Sequence, residues 1–270
     1  MINHLKTIKM NGTIRTFLLM LLLSTIMPAI GQTAGKGVQT KVISHRGYWK
    51  TEGSAQNSVT SFLKADSIGS YGSELDVWLT ADSVLIANHD RVFKGLAMET
   101  SLSGDILATR LSNGEYVPSF EAILGAMRKT SATRLILEIK KHPTPERENE
   151  IVAATMAMVE ELGLEKRVEY ISFSWNICQQ IKKADRKAVV YYLNGEKTPK
   201  ELKKAGMDGL DYSLKVIKKH PEWVKQAHDL GLKVNVWTVN DETDMQEMLD
   251  LGVDFITTNN PVELKALIGK

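Results

Sequence analysis

Short runs rich in apolar and β-branched residues alternate with longer segments whose apolar positions recur every three or four residues, from Val42 to the end of the chain. The short runs predict strands at 42–44, 74–78, 135–139, 168–172, 188–193, 209–212, 233–238 and 254–257. Between and after them, helical spacing predicts helices at 58–68, 119–128, 147–162, 174–183, 199–205, 222–230, 242–249 and 262–267. Five of these helices run into a glycine (Gly69, Gly163, Gly206, Gly231 and Gly252), the residue that most easily ends a helix in a left-handed turn. Eight strand-and-helix units in series predict a single-domain α/β fold, a TIM-type (β/α)8 barrel with the helices outside a closed parallel sheet.

Two segments break the rhythm. Residues 84–87 read as a short extra strand that ends in the polar tip His89-Asp90, and residues 91–117 read as a long connection rich in Gly, Ser and Thr. Connections of that length commonly cap a site or move.

The 270 residues include 43% hydrophobic and 24% charged side chains, enough apolar material for a sizeable core. The formal charge of +2 invites a reading as a weakly basic protein, but Lys6, Lys9 and Arg15 lie in residues 1–31, which contain no acidic residue, so the remainder carries −1. Residues 1–31 have the layout of a secretory signal: a basic start, an apolar run from Phe17, then Pro28, Ala29 and Gly31 before Gln32. The run is shorter than the roughly 20 apolar residues of a membrane span, so the expectation is cleavage after Gly31, a mature domain at 32–270, and a periplasmic or secreted product with no stable membrane span. Cys178 is the single cysteine, which excludes an internal disulfide. There is no basic stripe interleaved with aromatics and no Gly-rich phosphate loop, and nucleic acid is not an expected partner.

On a parallel barrel, chemistry sits at the C-terminal ends of the strands and in the loops that follow. Glu74 and Asp76 are two residues apart within a strand, so they share a face, while Leu75 and Val77 take the other face toward the helices. Glu138, between Leu137 and Ile139, has the same phase in the next barrel strand. Three inward carboxylates repel one another unless something positive joins them; a hard divalent cation is the natural candidate, with Arg46 and Lys140 as partial counter-charges or as groups for an anionic substrate. His45 and His89 at strand ends can take and give protons near neutrality. Trp237 reads either as a core aromatic or as a wall for the apolar part of a ligand. His142, His220 and His228 lie in charged surroundings and read as surface residues.

These residues resemble a family signature. His45-Arg46-Gly47, Gln56-Asn57-Ser58 with Phe62 and Ala65, Glu74-Leu75-Asp76-Val77 with Thr80 and Asp82, and His89-Asp90 are followed in order by Val117-Pro118-Ser119-Phe120-Glu121, Leu137-Glu138-Ile139-Lys140, Val236-Trp237-Thr238-Val239-Asn240 and the closing stretch 252–261. The pattern is similar to that of the glycerophosphodiester phosphodiesterase family, a group of TIM-type barrels. The resemblance implies metal-dependent hydrolysis of a small-molecule glycerophosphodiester to glycerol 3-phosphate and an alcohol. It implies Glu74, Asp76 and Glu138 as ligands for Ca²⁺ or Mg²⁺, His45 and His89 as the general acid and base pair in either order, Arg46 and Lys140 on the phosphate, and Trp237 at the glycerol end. Three places depart from the family pattern: Gln56 replaces a usual Glu, Asn259 replaces a usual Asp, and the 91–117 connection is shorter than the usual insertion. Those departures leave open another small phosphodiester, such as a sugar phosphodiester or a lysophospholipid, or a homologue that binds phosphodiesters with weak catalysis. A glycosidase built on Glu74 and Glu138 would need neither histidines nor a metal.

Overall fold

The computed structural model describes residues 39–130 and 132–269. The leader-like segment 1–31 and the proposed cleavage after Gly31 lie outside the described residues. All eight segments read as barrel strands form strands: β1 (Lys41–Ser44), β2 (Gly72–Leu79), β6 (Arg134–Ile139), β7 (Val168–Ser172), β8 (Val189–Tyr192), β9 (Gly209–Ser213), β10 (Lys233–Trp237) and β11 (Phe255–Thr258). Each pairs in parallel with its neighbour, and β1 pairs with both β2 and β11, so the sheet closes on itself. The fold is a single closed parallel barrel with helices around it, as the sequence predicts.

Strand periodicity fixes what each face does. Leu75, Val77, Leu135, Leu137, Val190, Leu210 and Val234 point outward into the core shared with the helices. The alternate positions Ile43, Ile136, Ile171, Tyr191 and Phe255 fill the barrel interior as a separate apolar cluster. Burying one such side chain fully is worth about 1.5–3 kcal/mol, so both faces contribute. The helices begin where side-chain oxygens can satisfy free backbone N–H groups. Ser58 caps α1 (Val59–Ser67), Ser119 caps α3 (Phe120–Met127), Thr144 caps α4 (Pro145–Glu161) and Ser174 caps α5 (Trp175–Ala184). α6 (Pro199–Lys204), α8 (Glu222–Asp229), α9 (Glu242–Leu251) and α10 (Pro261–Ile268) complete the predicted set.

The interruption after β2 is more ordered than the sequence suggests. β3 (Leu85–Ala87) returns antiparallel along β2, with Val77 opposite Ala87, and this turn brings the His89 tip back to the barrel mouth. The 91–117 connection is folded: it carries a small hairpin, β4 (Val92–Phe93) with β5 (Leu96–Ala97), and the short helix α2 (Ser103–Leu107). It packs over its own satellite core of Trp78, Ile86, Met98, Ile106, Leu111 and Val117. A further short helix, α7 (Leu214–Lys219), follows β9 and is also not foreseen.

One sequence expectation is corrected. His142 is not a surface residue: it is buried, with Nδ1 donating to the Lys140 carbonyl at 2.9 Å and Nε2 accepting from the Leu79 N–H at 3.3 Å. Its ring also lies 5.5 Å from the Trp78 ring. The imidazole thus serves as partner to two buried backbone groups, one at the end of β2 and one just after β6. His220 and His228 are half-exposed, stacked on Trp223 and paired with Asp254 respectively.

Gly209 shows how tightly the strands are fitted. A Cβ at this position would lie 2.1 Å from the Lys233 carbonyl oxygen and 2.8 Å from Tyr191 Cδ1. Gly209→Ala must therefore push β9 away from β10, and we expect it to cost at least about 1 kcal/mol of stability, read as a lower urea midpoint at unchanged slope.

Candidate active site

Glu74 and Asp76 on β2 and Glu138 on β6 all face the barrel interior near its C-terminal end, and the register sets Asp76 directly beside Glu138. Each offers a carboxylate oxygen within 4.8 Å of the others, and all three are buried. The Lys140 ammonium lies between two of them, 2.6 Å from Asp76 Oδ1 and 2.7 Å from Glu138 Oε1. Asn57 grips Asp76 at both ends, donating Nδ2–H to Oδ2 at 2.8 Å and accepting the Asp76 N–H at 2.9 Å. Glu74 Oε2 accepts the Arg46 backbone N–H at 2.7 Å. Burial opposes the charge on all three carboxyls, but at Asp76 it is overcome by Lys140 together with His89 and the Asn57 hydrogen bond, so Asp76 titrates below the usual range. Glu74 is pushed well up by burial and by repulsion from Asp76 and Glu138, and burial takes Glu138 up to about 7 despite Lys140. One ammonium for three carboxyls leaves the cluster short of positive charge.

The turn after β1 is shaped to deliver Arg46 and His45. Arg46 and Gly47 both have positive φ, and a Cβ on Gly47 would collide with Ser61, so the third residue of His-Arg-Gly has to be glycine. His45 Nδ1 lies 2.8 Å from Asn259 Oδ1, and the same oxygen accepts the Trp49 indole N–H at 3.1 Å. An indole N–H can only donate, so the oxygen of Asn259 is the acceptor for both, and His45 carries its proton on Nδ1. Nε2 is left as a bare acceptor 3.9 Å from Glu74 Oε2. Burial lowers the pKa of His45 to about 4. His89 differs: its Nδ1 is 2.8 Å from the Asp90 carboxylate, a partner that favours the charged ring even though burial lowers its pKa as well.

His45, Arg46, Glu74, His89 and Glu138 line one side of a cavity of about 130 Å³ at the barrel mouth. Ile171, Phe173, Leu193 and Trp237 form its opposite, apolar wall. Trp237, which the sequence leaves as core or ligand wall, does line the cavity, packs edge-on against Phe173 at 5.5 Å and donates its indole N–H to the Asp211 carbonyl at 2.9 Å. Asp211 on β9, absent from the sequence reading, also lines this cavity. It had the same signal as Glu74: an Asp between outward-facing Leu210 and Tyr212. Lys140 does not line the cavity, and its ammonium is paired with Asp76 and Glu138. A second cavity of about 190 Å³, bordered by Trp49, Gln56, Phe93 and Leu111, shares His89 with the first.

Comparison with known proteins gives this arrangement a lineage. The model of the glycerophosphoryl diester phosphodiesterase family matches residues 45–263. The chain belongs to that family. It is 47% identical to a glycerophosphodiester phosphodiesterase from Parabacteroides distasonis whose structure superposes with a TM-score of 0.85, covering 86% of this chain and 98% of that one. It is also 28% identical, over 86% of its length and 99% of the relative's, to the glycerophosphodiester phosphodiesterase of Caldanaerobacter subterraneus subsp. tengcongensis. A Bacillus altitudinis glycerophosphodiester phosphodiesterase is 26% identical over 237 residues, 82% of this chain and 95% of the relative. The chain is thus a phosphoric diester hydrolase of the glycerophosphodiester phosphodiesterase type.

Against that family pattern the two amide substitutions acquire definite positions. Gln56 Oε1 accepts from the Arg46 guanidinium at 2.6 Å, so it orients Arg46 without cancelling its charge. Asn259 holds His45 without supplying a negative charge, and Asn240 holds Asn259 in turn by accepting its backbone N–H at 2.9 Å. Among the described residues, no helix is long and apolar enough to cross a membrane.

Asn259→Asp tests the amide's electrostatic role. A carboxylate on Nδ1 stabilises the imidazolium and raises the pKa of His45 from about 4, so the neutral ring is lost at higher pH than in the parent enzyme. The acidic limb of the kcat/KM profile is expected to move to higher pH, and an unmoved limb would remove Asn259 from control of His45.

Proposed function

We propose that this protein is an exported, divalent-metal-dependent phosphodiesterase that hydrolyses small glycerophosphodiesters to glycerol 3-phosphate and an alcohol. The observation that carries the reading is the convergence of His45, His89, Arg46, Glu74 and Glu138 on one cavity, in a chain that matches the family from residue 45 to 263. Export rests on the leader-like segment.

The carboxylate cluster fits a divalent cation. Glu74, Asp76 and Glu138 give three oxygen donors within 4.8 Å of one another, the ligand type that Ca²⁺ and Mg²⁺ prefer, with one ammonium facing them. Without a cation, burial keeps Glu74 and Glu138 from ionising readily, so an ion would supply the charge the cluster lacks. A cation held there would neutralise phosphoryl oxygens and stabilise negative charge developing on them.

The rest of the work falls to the protein's own side chains. Arg46 offers a guanidinium to the phosphate, with Gln56 holding its direction. His45, neutral and with Nε2 bare, suits removal of a proton from the attacking oxygen. His89, with a carboxylate behind Nδ1, suits protonation of the departing alkoxide. The cavity beyond His89 has room for the alcohol half, and the apolar wall with Trp237 for the glycerol carbons. That same wall gives the lysophospholipid reading its support, since Ile171, Phe173 and Leu193 would also suit an acyl chain.

The test is a metal-by-substrate assay. Glycerophosphocholine, glycerophosphoethanolamine and glycerophosphoinositol, each with Ca²⁺ or Mg²⁺, should release glycerol 3-phosphate, and EDTA should stop the release. No product from any substrate under either metal would overturn the reading, whereas faster turnover of a lysophospholipid would redirect it. Glu74→Gln and His45→Ala should each lower kcat/KM at least about a hundredfold.

A further inference from the structure

Asp211 is 1% exposed, lines the active-site cavity, and has no hydrogen-bond partner for its Oδ1 among the protein groups. Asn235, on the adjacent strand, donates one Nδ2–H to Thr257 Oγ1 at 2.8 Å and is the one side chain that partly offsets the burial of the Asp211 carboxyl, without closing a bond of ordinary geometry to Oδ1. The Trp237 indole N–H is spent on the Asp211 backbone carbonyl. Asp211 stands outside the carboxylate cluster that fits a metal, and on its side of the cavity it is the one ionisable residue among apolar Ile171, Leu193, Phe173 and Trp237.

We propose that Asp211 is a specificity-determining residue that hydrogen-bonds a free hydroxyl on the glycerol half of the substrate. This rests on the function proposed above and narrows it to polyol phosphodiesters whose glycerol is not acylated. Asn235 offsets the burial of this carboxyl only in part, and Oδ1 keeps no protein partner of ordinary geometry; a hydroxyl delivered there satisfies it while the ligand's carbons lie on the apolar wall. Burial takes the Asp211 carboxyl up to about 8, so near neutrality it can both donate and accept, as a hydroxyl does, and does not repel a phosphate. An acyl ester at the same place removes the hydroxyl and leaves Asp211 unpaired, and a site built for a hydroxyl discriminates strongly against the analogue that lacks it.

The test compares binding of sn-glycerol 3-phosphate and n-propyl phosphate, which lacks both hydroxyls, to the metal-supplied enzyme by calorimetry. The parent enzyme should prefer glycerol 3-phosphate at least about tenfold. Asp211→Leu or Asp211→Ala should reduce that preference to about twofold or less while propyl phosphate binds as before; Asp211→Asn, which can still donate and accept, should retain most of it. Undiminished preference in the Leu or Ala variant, equal loss of both ligands, or no preference in the parent enzyme overturns the proposal, and the last needs no variant to fold. Turnover of glycerophosphocholine by the parent enzyme is measured alongside. Its absence would count against the phosphodiesterase reading, whereas intact turnover with an unmoved preference would count against Asp211 alone.

Discussion

The structure turns on a shortage of positive charge at the barrel mouth. Parallel pairing of β2 with β6 sets Asp76 beside Glu138, and the two-residue period of β2 adds Glu74 on the same face. One lysine is set against these three buried carboxyls. Removing charges from water costs several kcal/mol per ion, and a pair offsets that cost only with close geometry and further hydrogen bonds. The surrounding sequence supplies those bonds: both ends of the Asn57 amide go to Asp76, and the Arg46 backbone, forced into a left-handed turn, goes to Glu74. The motifs next to the carboxylates are thus parts of one electrostatic arrangement.

A layered support lies behind this arrangement. Asn57 and Ser58 are adjacent, so the residue that fixes Asp76 is continuous with the one that starts α1. His142 ties the Lys140 carbonyl to Leu79 at the end of β2, locking together the strands that carry all three carboxyls. The 91–117 excursion holds Trp78 and Ile86 in its own core, and through β3 it sets where the His89 tip stands. Each of these contacts lies outside the reacting region but limits the directions in which its side chains can point.

Much of this was legible in the sequence because strand phase is local. Leu-Asp-Val and Leu-Glu-Ile triplets state which face a carboxylate occupies, and the same logic applied to Gly-Leu-Asp-Tyr would have exposed Asp211. Pairings across the barrel were legible only in part: the sequence offers Lys140 as a counter-charge or as a phosphate ligand, but not which carboxylates its ammonium meets, Asp76 on the neighbouring strand as well as Glu138 on its own. His142 was misread for a related reason, since Lys140-Lys141-His142 looks like a solvated run whereas the loop turns inward to satisfy backbone groups. The short elements β4, β5, α2 and α7 hold too few residues to show a period against a polar background. Gln56 and Asn259 stood out only by departing from a family pattern, and their effects depended on partners that the fold supplies.

The hydrogen bond between His45 and Asn259 spans 214 positions of sequence and crosses the seam where the first barrel strand meets the last. The proton state of His45 is therefore set by the final strand, through an amide that Trp49 and Asn240 hold in place from either side. A chain emerging from the ribosome possesses all three carboxylates and both histidines long before it possesses Asn259. The partner that fixes the His45 tautomer thus arrives only with topological closure, and a partly synthesised or C-terminally frayed barrel holds the same side chains without that hydrogen bond.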